Sequence, residues 1–204
     1  MKNHRNKAAG ALSSAVSFFQ QGKLKAAEGR LLAAIKLDPG LAEAHNNLGV
    51  VHHRMGQAAK ALSSFTTALS LTPRDPQTAR NVAAVALELG EHAIALPVLE
   101  LLVQQQPQDR ALRLRLAETY ANVGALADAT TLTEGLLMEA PDDVSLLGAK
   151  AQLLNANGDH ARALRVLGGG ERGGARAGPG LGGAAGARAP ARSIAASPTV
   201  VRVL

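Results

Sequence analysis

Cysteine and tryptophan are missing from the 204-residue chain, and Phe18, Phe19, Phe65 and Tyr120 are its only aromatic side chains. Without cysteine there is neither a disulfide framework nor a thiolate metal site, and nothing in the sequence reports the redox compartment. Long apolar runs are also missing: none approaches the roughly 20 residues that cross a bilayer. No membrane partner is expected. A basic folded surface is the third absence. The net charge is +6, but residues 1–7 carry +3 and residues 168–204 carry +4, so residues 8–167 between them sum to −1. Nucleic-acid binders gather Lys and Arg on the folded surface. Here the excess lies at the two ends, and no specific nucleic acid is expected. The start, with Lys2, Arg5 and Lys7 before a mildly apolar stretch, imitates a secretory signal. That stretch is rich in Ser and Gly, no A-x-A site follows it, and its residues fit the repeat described next. A cytoplasmic protein is therefore expected.

What the chain has instead is a period of 34 residues. Glycine recurs at Gly22, Gly56, Gly90, Gly124 and Gly158, alanine at Ala27, Ala61, Ala95, Ala129 and Ala163, and proline at Pro39, Pro73, Pro107 and Pro141. A fixed step of this size marks a solenoid of stacked units rather than one globular core. Phasing at residue 8 divides the chain into a basic segment 1–7, full units 8–41, 42–75, 76–109 and 110–143, a partial unit 144–167 and a tail 168–204. In the second unit Leu48, Val51 and Met55 follow helical spacing. After Gly56 the pattern restarts with Ala58, Ala61, Leu62, Phe65, Ala68 and Leu69, and Thr72-Pro73 stops it. Each unit reads as two helices of about 14 residues joined by a glycine that takes positive φ. Small residues at Ala15, Gly49, Ala83, Ala117 and Ala151, with the alanine ladder, let paired helices cross closely. Leu31, Phe65, Leu99 and Leu167 fill the space between units, and Thr133 breaks that row.

The spacing of Leu48, Gly49, Gly56, Ala61, Phe65, Ala68 and Pro73 resembles the tetratricopeptide repeat, and the resemblance covers residues 8–167. It implies an all-α, right-handed superhelical solenoid of antiparallel helix pairs, with the first helices lining a concave groove that binds peptides. The chain departs from the family pattern at two positions. The site usually holding Trp is Ala11, His45, Ala79, Arg113 and Leu147, and the aromatic site of the first helix is Phe18, His52, Ala86, Tyr120 and Leu154.

Two features strain the pattern. Pro97 falls inside a second helix, where it removes the amide bond to Ala93 at up to about 3 kcal/mol and predicts a local kink or a late helix start. After Leu167 the composition changes abruptly, Gly, Ala, Arg and Pro making up 27 of the 37 residues from 168 to 204. These residues have GC-rich codons, so the switch reads as out-of-frame translation, with a flexible linker as the alternative. Either way a disordered tail is expected. The fifth unit then lacks the polar cap that ends such arrays. Leu153, Leu154, Leu164 and Leu167 are expected to lie partly bare, and the unit to fray or mediate self-association.

The expected groove lining comes from first-helix positions pointing away from the second helix. These are Glu43, Asn46, Asn47, Val50, His53 and Arg54 in the second unit, Gln77, Arg80, Asn81, Ala84 and Glu88 in the third, and Arg115, Glu118 and Asn122 in the fourth. Asn47 and Asn81 share a phase, and an amide that donates and accepts together can grip a peptide backbone without reading its sequence. Similar asparagine ladders line the tetratricopeptide region of protein O-linked N-acetylglucosamine transferases; here Arg115 and Ala149 replace the next rungs. The carboxylate clamp of chaperone-binding members does not assemble, because Leu12 and Val16 occupy its first-repeat positions. His45, His52, His53 and His92 have no carboxylate at ligand spacing, so packed histidines are expected and no metal. Residues 168–173 match G-x-G-x-x-G but precede no helix, so the phosphate-cradling context fails. No Ser/His/Asp or paired-carboxylate set assembles. The expectation is a non-enzymatic scaffold, without cofactor, that binds a peptide or partner protein. The alternative is the recognition arm of a larger glycosyl-, sulfo- or methyltransferase, cut off after about residue 167.

Overall fold

A computed structural model describes residues 2–168. They form ten helices: α1 (Lys2–Gln20), α2 (Leu24–Leu37), α3 (Ala42–Arg54), α4 (Ala58–Leu71), α5 (Pro76–Glu88), α6 (His92–Gln105), α7 (Arg110–Asn122), α8 (Leu126–Glu139), α9 (Val144–Ala156) and α10 (His160–Leu167). No strand occurs among the described residues. First helices from α3 onward begin at residues 42, 76, 110 and 144, and second helices at 24, 58, 92, 126 and 160. The 34-residue step of the sequence is therefore the step of the architecture. Each helix packs chiefly on the helices before and after it in the chain, which makes the fold an all-α helical-repeat solenoid.

Local chemistry sets the ends of these helices. All five turn glycines have φ between +72° and +83°, a region that costs an L-residue about 1–2 kcal/mol. A Cβ at Gly90 would meet nothing within 4 Å, so the backbone term stands alone there. Gly90→Ala is expected to lower unfolding stability by about 1–2 kcal/mol, whereas Gly29→Ala, inside α2 with equally open surroundings, should raise it by up to about 1 kcal/mol. Equal denaturation midpoints for the two variants would contradict the left-handed turn. After Pro73, Pro107 and Pro141, Asp75, Asp109 and Asp143 cap the next first helix by accepting backbone N–H groups: Thr78, then Ala111 and Leu112, then Ser145 and Leu146.

The alanine ladder is at most 1% exposed throughout, and Leu31, Phe65, Leu99 and Thr133 at most 2%. Gly49 lies against the Phe65 ring so closely that a Cβ would sit 2.6 Å from two ring atoms. Three expectations change. Residues 2–7 are no separate segment but the opening turns of α1, since nothing there breaks a helix. A late start at Pro97 does not occur: α6 begins in phase and runs 14 residues through it, with Pro97 exposed. Leu153 and Leu154 are buried, Leu154 in a small cluster with Ala151, Ala163 and Val166. Leu164 and Leu167 alone of that set are bare, at 71% and 63% exposure, on a helix of only 8 residues. The out-of-frame and disordered-tail expectations concern residues 169–204, which lie outside the described residues.

Candidate functional site

The expected groove residues sit on α3, α5 and α7, and the fold brings part of the set together. Asn81 Nδ2 donates to Asn46 Oδ1 at 2.9 Å, and Gln77 Nε2 donates to Asn81 Oδ1 at 3.4 Å. His53 Nε2 lies 2.7 Å from Glu88 Oε2. Both cross-helix pairs are 35 residues apart in sequence, so α3 and α5 present one joined polar strip. Arg80 reaches Gln106 at the end of α6 instead. Among the described residues, no side-chain hydrogen bond or ion pair ties Arg54, Arg115 or Glu118 to the strip, although Arg54 and Glu118 are exposed and Arg115 half-buried. Burial raises the carboxyl pKa of half-buried Glu43.

Three groove residues lie deeper than the sequence implies. Asn47, Val50 and Asn81 are only 6%, 5% and 8% exposed. Val50 joins the core cluster that includes Val82 and Leu99. Asn81 is covered on the α3 side, where its amide already bonds Asn46. Asn47 lines a pit of about 10 Å³ with Val16, Phe19 and Leu31, and its Nδ2 finds no hydrogen-bond partner. Such a pit has room for roughly one water-sized group. Both asparagines thus face the preceding first helix, and neither stands as an open rung.

Models of the tetratricopeptide repeat match residues 42–75 and 86–153, and one described as TPR repeat matches residues 17–56. The chain belongs to the tetratricopeptide repeat family. Its fold is similar to that of YrrB, described as a TPR protein with an unusual peptide-binding site, with a TM-score of 0.65 at 20% identity over 78% of this chain and 81% of that one. MamA from Desulfovibrio magneticus RS-1 aligns with a TM-score of 0.60 at 20% identity, over 80% of this chain and 92% of that one. A tetratricopeptide repeat protein from Parabacteroides merdae gives 0.51 at 22% identity, over 80% and 78%. No curated protein matches the chain. At these identities the likeness establishes the repeat fold.

Within this TPR array, the family's aromatic position carries contacts that the sequence pattern did not disclose. His52 Nε2 lies 3.2 Å from Glu28 Oε1 on α2, while Ser64 Oγ on α4 lies 3.3 Å from its Nδ1. Two repeat steps later, Tyr120 donates its hydroxyl to Glu100 Oε1 on α6 at 2.8 Å. A buried polar group needs such a partner, and in both cases a glutamate of the preceding second helix provides it. His45 at the tryptophan position reaches the Pro39 carbonyl at 2.9 Å. Among the described residues no group of three or more His, Cys, Asp or Glu side chains could hold a metal. The ammonium of Lys25, followed by His52, holds the Glu28 carboxyl below its ordinary value against the opposing effect of burial.

Burial first and the Glu100 carboxylate second push the Tyr120 phenol up to about 12. Because the folded state holds this proton more tightly than the unfolded chain, its contribution to stability is intact below pH 10 and is lost as pH rises from about 10 towards 12. Tyr120 is the only tyrosine and there is no tryptophan, so near-UV phenolate absorbance reports this group alone. The native chain should titrate near 12, with Glu100→Gln moving the midpoint down. A native midpoint near 10, the ordinary tyrosine value, would contradict the half-buried pair.

Proposed function

We propose that this TPR chain is a non-enzymatic scaffold that holds a peptide or partner protein along the first-helix face of repeats two to four. What supports this above all is the joining of α3 to α5 through Asn46–Asn81 and His53–Glu88. An extended ligand needs a continuous surface, and these contacts link the polar residues of two repeats into one. The first-helix face around the strip has both signs of charge, Arg54, Arg80 and Arg115 against Glu43, Glu88 and Glu118. It therefore selects by the pattern of polar groups rather than by net charge. YrrB's peptide-binding site gives the same use of the fold in a protein of similar architecture. The exposed leucines of α10 belong to the same reading: Leu164 and Leu167 are a self-association surface.

Peptides selected from a random library against the wild-type chain provide the probe. The double variant Asn46→Ala, Arg80→Glu should bind them at least about tenfold more weakly, a loss of roughly 1.4 kcal/mol, while remaining fully folded at the temperature of the assay, with a melting temperature lowered by the loss of Asn81's partner. Equal affinity would rule out the first-helix strip as the binding face.

A further inference from the structure

A cleft of about 320 Å³ lies between α7 and α8 of the fourth repeat. On α7 it is lined by Arg113, Leu116 and Tyr120. These recur at one helical face, nearly opposite Arg115, Glu118 and Asn122, because residues two apart on a helix point to opposite sides. The cleft thus opens away from the first-helix strip.

Its origin is local. The position occupied by Ala33, Thr67 and Leu101 in the first three repeats is Gly135 in the fourth, and a Cβ there would meet nothing within 4 Å. At the tryptophan position Arg113 is drawn to Glu139 by two hydrogen bonds of 2.6 and 2.7 Å. That pair holds the Glu139 carboxyl below its ordinary value. What remains is an apolar floor of Leu116 and Leu132, with Asp128 in the wall.

The charge around the cleft is unbalanced. Glu139 answers Arg113, but no cation among the described residues pairs with Asp128, and Glu100 is met only by the neutral Tyr120 hydroxyl. The third and fourth repeats each carry a net charge of −3. Arg113 Nε is buried without a hydrogen-bond partner, its guanidinium being turned towards Glu139. A cleft of this size is at the small end of the range of about 300–1,000 Å³ that holds ligands, suited to one large side chain.

We propose that this cleft is a second docking site, for a partner-protein segment that presents an aromatic or leucine side chain next to an arginine or lysine. The apolar side chain lies between Leu116 and Leu132, and the cation sits beside Asp128. Nothing in this depends on the groove.

The test titrates the full chain with two fluorescein-labelled pentapeptides, Gly-Arg-Phe-Arg-Gly and Gly-Glu-Phe-Glu-Gly, read by fluorescence anisotropy. The arginine peptide should bind at least about tenfold more tightly than the glutamate peptide. Gly135→Leu, which fills the cleft, and Asp128→Lys, which reverses its charge at an exposed position, should each weaken it about tenfold or more. The groove variant Asn46→Ala, Arg80→Glu should leave this binding unchanged. Absence of binding, equal binding of the two peptides, indifference to Asp128→Lys or loss only in the groove variant would each overturn the proposal.

Discussion

Gly49→Ala is expected to destabilise the array by about 1–3 kcal/mol, although the same exchange inside an open helix gains about 1 kcal/mol. The new Cβ would lie 2.6 Å from two atoms of the Phe65 ring. That ring is 2% exposed and cannot swing aside. The chain contains its own control. Repeats one and three place Ala15 with Leu31 and Ala83 with Leu99 at the same two positions, whereas repeat two pairs the smaller Gly49 with the larger Phe65. Gly49→Ala combined with Phe65→Leu should therefore recover most of the loss, because it writes into repeat two the pair its neighbours already use. Urea denaturation of the two single variants and the double variant gives the coupling directly. A neutral or stabilising Gly49→Ala, or a double variant no better than the sum of its parts, would mean that the ring does not sit in the helix crossing.

Leu164→Gln with Leu167→Gln is expected to convert a concentration-dependent oligomer into a monomer. Leu167 occupies the phase of Leu31, Phe65 and Leu99, each sealed within its repeat, yet it is 63% exposed, and Leu164 beside it is 71% exposed. In repeats one to four a following first helix packs on the second helix; among the described residues none follows α10. Burying a leucine fully contributes roughly 1.5–3 kcal/mol, so losing two should weaken association by well over about tenfold. Light scattering over a range of concentrations measures this. A wild-type chain that stays monomeric throughout would remove the self-association surface.

The repeat was legible because its markers act locally. A glycine in the left-handed region, a proline stop and an aspartate cap each work within a few residues, so a 34-residue step in the sequence becomes the same step in the helix starts. What escaped was whatever depends on how one unit rotates against the next. Glu28 meets His52 across 24 residues, Glu100 meets Tyr120 across 20, and Asn46 meets Asn81 across 35. These three separations differ, and no period announces them. For the same reason the phase of Asn47 and Asn81 was right while their exposure was not: the preceding helix covers that flank. Pro97 misled in a different way. It forfeits one hydrogen bond on an exposed helix face, too little to shift the start of a helix fixed by Gly90 and by Ala95 and Leu99 in the core.

A chemical-shift map of the isotope-labelled chain with a library-selected peptide tests the first-helix strip most directly. Shifts should concentrate on Asn46, His53, Arg80, Asn81 and Glu88, spanning α3 and α5 together, while the outer residues of α4 and α6 stay in place. Shifts confined to the second helices or to α10 would contradict the first-helix strip as the peptide-binding face.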